Sequence, residues 1–269
     1  MTRVGLVGRG RAASALAVAL EDTAGVTLAW HWSRGEAGVD TLPACDVVLL
    51  AVPDGAIEDA ARALAVRASA RGEIWLHLSG SRDGRVARAD ATTPRAAGCL
   101  HPLVALAGAD SRPLLRGAVA GVDGEPAAVV AADALGAAIG LRTTRLAPGG
   151  KALYHAAAVT VAGHAVALWD QGVTSMVRAG VPVDDARAAL LALMRGAVAQ
   201  LEGNEPADAI TGPIARGDVD TVRAHLRALE TAEDRDAAVV YRALARRALA
   251  ISRARLAPDV AEAIAAALG

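Results

Sequence analysis

The first twenty residues constrain the fold more than any other stretch. RVGLVG (3–8) is an apolar β-like run ending in glycine, and residues 11–20 follow with apolar side chains at helical spacing. Between them lies Gly8-x-Gly10-x-x-Ala13. A strand that enters such a turn and leaves it as a helix is the opening of a βαβ unit built to hold a dinucleotide. Gly8 permits the tight turn, Gly10 lets the backbone approach a pyrophosphate, and Ala13 is small enough for close helix–strand packing. The helix start offers unpaired N–H groups to phosphate, with Arg9 and Arg11 beside them.

Short strand-like runs then alternate with helical patterns. The strands are read at 26–32, 46–53, 73–80, 96–102, 117–122 and 141–146, with helices at 57–70 and near 126–138. The 46–53 run, DVVLLAVP, has no polar interruption after its aspartate, as a strand covered on both faces requires. This alternation predicts an α/β domain with a doubly wound parallel sheet. Ala147-Pro148-Gly149-Gly150 breaks the pattern, and no strand is read beyond it. Helices are expected over 151–179, 183–202, 218–230, 234–256 and 258–267. The domains expected are therefore 1–147, binding dinucleotide, and 148–269, all-helical.

Composition excludes several function classes. Formal net charge is −1 and the basic residues are scattered, so neither nucleic acid nor a membrane surface is a natural partner. The two cysteines, Cys45 and Cys99, form no disulfide framework, and the three histidines 77, 101 and 155 lack metal-ligand spacing, so no metal is expected. The apolar run 156–168 is too short to span a bilayer, and a cytoplasmic protein is expected.

The second strand ends in WHWSR, where an NAD site usually carries an acid for the ribose 2′-hydroxyl. Ser33 and Arg34 stand there instead and suit the 2′-phosphate of NADP, with Arg9 and Arg11 placed to reinforce them, although Glu36 is nearby. Val52-Pro53-Asp54 ends the third strand, at the edge where a nicotinamide would lie.

The reacting groups are expected at the start of the helical part. The chain has 27 arginines and one lysine, Lys151. An ammonium can exchange a proton near neutrality and a guanidinium cannot. In helix, Lys151 and His155 share a face, with Tyr154 close to it. Ser79 in LHLSGS and His101 in CLHPL end parallel strands and point to the same cleft. Thr211-Gly212-Pro-Ile-Ala-Arg216-Gly-Asp218 offers a rigid turn, an arginine able to clamp a carboxylate, and a capping aspartate.

Together these residues resemble the 6-phosphogluconate dehydrogenase-like superfamily. That group includes 3-hydroxyisobutyrate dehydrogenases, pyrroline-5-carboxylate reductases and ketopantoate reductases. HLSGS, CLHPL, KALYHAAAV and TGPIARGD are most similar to a less characterised branch: Rossmann-like oxidoreductases with a C-terminal domain of unknown function. The resemblance implies a Rossmann fold, NADPH as cofactor, and a homodimer built through the helical domain. It implies Lys151 as general acid, with His155 where the β-hydroxyacid dehydrogenases carry asparagine. The function expected is reduction of a small anionic 2-keto acid, ketopantoate-like, assisted by His101 and Ser79 and held by Arg216, Gly212 and Tyr154. Two alternatives stay open: an imine or imino acid reductase, and a non-catalytic NADP-binding sensor.

Overall fold

The computed structural model describes residues 1–65, 73–88, 95–232 and 235–269. The last residues of the helix expected over 57–70, and the first of that expected over 234–256, lie outside them. Two compact units emerge, Met1–Val161 and Ala162–Gly269.

The first unit contains β1 (Thr2–Val7), α1 (Arg11–Glu21), β2 (Val26–Trp32), β3 (Val47–Leu50), α2 (Ile57–Ala65), β4 (Ile74–His77), β5 (Ala96–Pro102), β6 (Val119–Gly124), α3 (Pro126–Ala138), β7 (Arg142–Arg145) and α4 (Lys151–Val161). Its seven strands form one sheet in the order β2-β1-β3-β4-β5-β6-β7. Every pair is parallel except β5 and β6, which are antiparallel. The sheet is thus Rossmann-type and mostly parallel. Its reversal departs from the all-parallel expectation. The reason lies in the connection: residues 103–118 carry only a short 3₁₀ segment, Ala109–Leu115. Without a crossover helix the chain turns back beside β5 instead of returning to the sheet's other end.

The core is built from small and aliphatic side chains in two layers. One layer packs Ala13, Leu16 and Leu20 of α1 and Ala128, Ala132 and Leu135 of α3 on one sheet face. The other packs Ile57, Ala61 and Leu64 of α2 on the opposite face, with Trp30, Trp32 and Trp75 supplying bulk. All four residues of β3 are buried, as an uninterrupted apolar strand covered on both faces must be. Of the buried α1 residues, Ala13, Leu16, Ala19 and Leu20 follow the helical period, and Ala15 is buried beside them.

The second unit is helical throughout its described residues: α5 (Gly163–Arg178), α6 (Val183–Leu201), α7 (Pro206–Ala209), α8 (Pro213–Arg216), α9 (Val219–Thr231), α10 (Arg235–Ser252) and α11 (Pro258–Leu268). Ile214, Val222, Leu226, Ala245, Leu249, Ile264 and Leu268 form its core. Asp218 caps α9, its Oδ1 accepting from the Thr221 N–H at 3.0 Å. The helix expected over 151–179 breaks at Ala162, and α4 belongs to the first unit. The compact units divide at 161/162, so α4 goes with the sheet, to which the polar side chains of its first turns bond.

The stretch Lys151–Arg178 is, among the described residues, the one helical run long and apolar enough to cross a bilayer, with a mean hydropathy of 1.3 in its best window. The run 156–168 considered above is shorter because it omits the flanking turns.

Candidate active site

Gly8 closes the turn after β1 with φ +114°, a conformation that favours glycine. A Cβ there would lie 2.2 Å from Ala51 O, so the β1 and β3 ends approach as no other residue allows. The Gly8 N–H donates to Trp32 O (2.8 Å), and the Ala51 N–H to Val7 O (2.9 Å). The crevice between the carboxyl ends of β1 and β3 is the switch point of the sheet, where β2 lies on one side of β1 and β3 on the other. At Gly10, the N-cap of α1, a Cβ would meet nothing within 4 Å. No side chain caps α1 and no acid lies in its first turn. The amides of α1 therefore face open space with the exposed Arg9 and Arg11 at hand. This cradle fits a dinucleotide pyrophosphate. Ala13 is fully buried beneath it, Val52 is half-buried, and Pro53 leads into the 3₁₀ turn Asp54–Ala56. At the end of β2, Ser33 is half-buried, Arg34 is exposed, and Ser33 and Arg9 both bond to Glu36.

The second cluster forms where α4 crosses β5 and β6. In the register, Leu50, His77, Cys99 and Asp123 lie side by side on successive strands, so their side chains share one sheet face. His101 and Gly121 form the pair two residues along, on the same face. Tyr154 seats its hydroxyl there: it accepts from the Gly121 N–H (3.1 Å) and lies 3.1 Å from His101 Nδ1. The His101 ring meets both Tyr154 and His155 edge-on, at centroid distances of 5.6 Å. His155 reaches Gly80, where a Cβ would lie 2.3 Å from its Nδ1 and 2.7 Å from His101 Cε1. The turn after β4 must therefore be glycine for the two imidazoles to meet.

Lys151 is 7% exposed, and among the described residues its Nζ has no hydrogen-bond partner; a neighbouring charge is Asp123 Oδ2, 3.7 Å away. Asp123 also accepts the Gly84 N–H at 3.0 Å. Lys151, Asp123, Arg85, Arg145, Ser81 and Asp83 border a cavity of about 640 Å³.

The histidines differ. His77 is fully buried and committed at both nitrogens, with Nδ1 accepting from the Ser79 N–H (3.1 Å) and Nε2 3.0 Å from Asp83 O. Burial first, then Lys151, pushes its pKa down to about 4. For His101 burial, then His155 and Lys151, do the same, also to about 4. Both rings are neutral at pH 7. Burial pushes the Cys99 thiol up to about 11, which makes it inert. The Ser79 hydroxyl accepts from the N–H groups of Ser81 (3.2 Å) and Arg82 (3.0 Å). It shapes the turn that presents Ser81, whose Oγ donates to Asp54 Oδ2 at 2.7 Å. For Asp54 burial opposes ionisation, but the Ser81 and Ser79 hydroxyls and the His155 and His77 rings outweigh it and hold the carboxyl below its ordinary range.

Of the residues singled out in the sequence, the structure brings Lys151, Tyr154, His155, His101 and Ser79 together. Gly212 and Arg216 belong to the second unit, where Arg216 is exposed and borders a cavity of about 270 Å³ with Thr211, Ser252 and Arg255. Asp54 was read at the strand end but given no role, and Asp123 was missed, although it is the one acid within a strand otherwise apolar or glycine.

An open glycine turn, a crevice at the switch point and a polar cluster beyond neighbouring strand ends define a Rossmann-type dinucleotide-binding architecture. Comparison with known proteins follows the same lines. A domain of unknown function, DUF2520, matches residues 118–248. No curated protein matches the chain. Among solved structures, a Bacteroides fragilis protein provisionally assigned as an NADP oxidoreductase is 18% identical with a TM-score of 0.70, over 94% of this chain and 98% of that one. Plasmodium falciparum pyrroline carboxylate reductase with NADP bound is 13% identical with a TM-score of 0.59, over 93% and 98%. The Aspergillus terreus reductive aminase in complex with NADPH and ethyl levulinate is 17% identical with a TM-score of 0.59, over 99% of each chain. At these identities the likeness establishes the fold.

Proposed function

We propose that the chain is an NADPH-dependent reductase, and that the bond it reduces is C=N. The open amides of α1, the donors at the end of β2, and the NADP-bound relatives of the same fold support the cofactor. Gly8, Gly10 and Ala13 would form the pyrophosphate cradle, Ser33 and Arg34, reinforced by Arg9 and Arg11, would hold the 2′-phosphate, and Val52 and Pro53 the nicotinamide side. When bound, NADPH supplies the hydride.

One observation carries the choice of bond. The site's protonated amine is buried against Asp123, while the groups left at the strand ends are the neutral His101 ring and the ionised Asp54. An iminium carbon accepts hydride without an acid, and its positive charge needs a carboxylate and unprotonated neighbours. In this reading Asp54 attracts the cationic substrate, held by Ser81, and His101 and His155 line its path. Tyr154 fixes His101, the Lys151–Asp123 pair holds α4 on β6, and burial, with the Lys151 charge adding to it, keeps His77 and His101 neutral. The named relatives that act on C=N bonds, a pyrroline carboxylate reductase and a reductive aminase, agree with it.

The second reading is reduction of a small 2-keto acid, ketopantoate-like, with Lys151 as general acid, His155, His101 and Ser79 assisting, and Tyr154, Gly212 and Arg216 on the substrate. Lys151 Nζ has no hydrogen-bond acceptor, and the cavity beside it carries Arg85 and Arg145, which favours an anion. NADPH depletion with imines, imino acids, keto acids and aldehydes separates the two. The expected result is turnover of a C=N substrate that Lys151→Arg lowers by less than about tenfold. Loss of about 10² to 10⁴ in that variant, on a keto acid, establishes the second reading. NADPH binding with no substrate consumed leaves a sensor.

The assembly we propose is a homodimer through the helical part. Across α4, α5 and α6 the buried residues are Lys151, Val173 and Ala186, while Leu153, Val161, Val166, Leu193, Val198 and Leu201 are exposed. Lys151, Tyr154 and His155 tie α4 to the sheet, so a second protein surface, and not lipid, is the cover that leaves those bonds intact. Sedimentation should give twice the 27.1 kDa chain mass; a monomer at micromolar concentration refutes the dimer.

A further inference from the structure

The loop after β2 holds an anion of its own. Arg9 Nη2 donates to His31 O at 2.9 Å, which fixes the guanidinium against the strand end. The same guanidinium reaches Glu36 Oε1 from Nε (3.3 Å) and Nη2 (3.2 Å), and Oε2 from Nη2 (3.4 Å). The Ser33 N–H donates to Oε2 at 3.1 Å and the Ser33 hydroxyl to Oε1 at 3.2 Å. A guanidinium, a hydroxyl and a main-chain amide thus converge on one carboxylate. That donor set, at the end of β2 beside the glycine turn, is also what a phosphate monoester on the 2′-position would require.

We propose that Glu36 is a built-in competitor for the 2′-phosphate of NADPH: its carboxylate occupies the phosphate donors and is displaced when the cofactor binds. The inference rests on the NADPH-dependent reading above. An acid that selects NADH presents free oxygens to the ribose diol. Here both oxygens already accept from the chain's own donors, so a diol finds no vacant acceptor. A phosphate carries more charge and three oxygens, and it takes the same donors more strongly than a carboxylate does. Displacement requires a side-chain rotation only. The Glu36 main chain is pinned, its N–H donating to Ser33 O (3.1 Å) and its carbonyl accepting from Trp32 Nε1 (3.2 Å). The side chain itself is 42% exposed and free to swing into water. Glu36 therefore lowers NADPH affinity without serving NADH, and it spares Arg9 and Ser33 from lying uncompensated before the cofactor arrives.

The test is equilibrium binding of NADPH, NADH, 2′-AMP and 5′-AMP to the full chain by calorimetry, for the wild type, Glu36→Gln and Arg9→Gln. Because an exposed ion pair is a modest competitor, Glu36→Gln should tighten NADPH and 2′-AMP by about three- to tenfold and change NADH and 5′-AMP by less than about twofold. Arg9→Gln should weaken NADPH and 2′-AMP and leave 5′-AMP unchanged. If Glu36→Gln instead weakens NADH and leaves NADPH alone, the carboxylate holds the ribose diol and the proposal is wrong. No change in any ligand makes Glu36 a bystander and also refutes it. A wild type that prefers NADH tenfold, or binds neither dinucleotide, overturns the NADPH reading itself; that result is seen before any variant is compared.

Discussion

Asp123→Asn is expected to destabilise the protein by about 3–5 kcal/mol at pH 7, the cost of leaving a buried ammonium without its counter-charge. Lys151 keeps 8% of its side chain in water, and among the described residues its Nζ has no hydrogen bond and is paired in charge with Asp123. Lys151→Met should cost less, about 2–3 kcal/mol, because Asp123 keeps 28% of its side chain exposed and still accepts the Gly84 N–H. The double variant removes both charges at nearly constant volume. It should recover most of the loss and fall within about 1–2 kcal/mol of wild type, a coupling of several kcal/mol between the sites. Urea unfolding of the four proteins measures this directly. Additive losses in the double variant would mean that the two groups do not sense each other, and the assigned role of the pair in seating α4 on β6 would fall.

The second large effect is acid sensitivity well above the carboxylate range. His77 and His101 titrate at about 4 in the folded protein, against 6.5 for a free imidazole. Between those values the unfolded chain binds protons that the native state refuses. Stability is therefore complete above pH 6.5 and is lost as pH falls from 6.5 toward 4. At 1.36 kcal/mol per pH unit, each ring contributes roughly 3 kcal/mol across that window. Carboxylates held low, such as Asp54, start from a free value of 3.8 and act below it. Urea midpoints at pH 7.5, 6.5, 5.5 and 4.5 should fall steadily, and His101→Asn should flatten the slope by about half. A wild-type profile that stays level to pH 5 would contradict the buried, neutral state of both rings. The same neutrality is what the proposed C=N chemistry requires of the site.

Much of the fold was legible because its signals are local. The glycine turn at 8–10 shows in six residues, since a pyrophosphate cradle needs no Cβ where strand and helix meet. The run of β3 reads as a doubly covered strand because all four of its side chains enter the core. The reversal at β6 was not legible. Residues 117–122 look like a strand of either direction, and direction depends on whether the preceding loop contains a crossover helix. The break at Ala162 was hidden for a similar reason, because alanine and valine continue a helical pattern on either side of it.

The site divides the same way. Helical spacing alone put Lys151, Tyr154 and His155 on one face, and strand ends put His101 and Ser79 nearby. Spacing could not say what that face meets. The register of β5 against β6 brings Asp123 beside Cys99, and so gives the lysine a carboxylate. The turn after β4 spends the Ser79 hydroxyl on main-chain amides and brings Ser81 to Asp54. The loop after β2 folds Glu36 back onto Ser33 and Arg9.

By itself, then, the sequence determined which segments become strands and helices, where the open glycine turn forms, and which side chains share a helix face. These depend on backbone geometry and on periods of two and 3.6 residues, both of which act over a few positions. Only the tertiary structure decided which charges are neutralised, which imidazoles lose their protons and which donors are already taken. Those properties arise from burial and from partners distant along the chain.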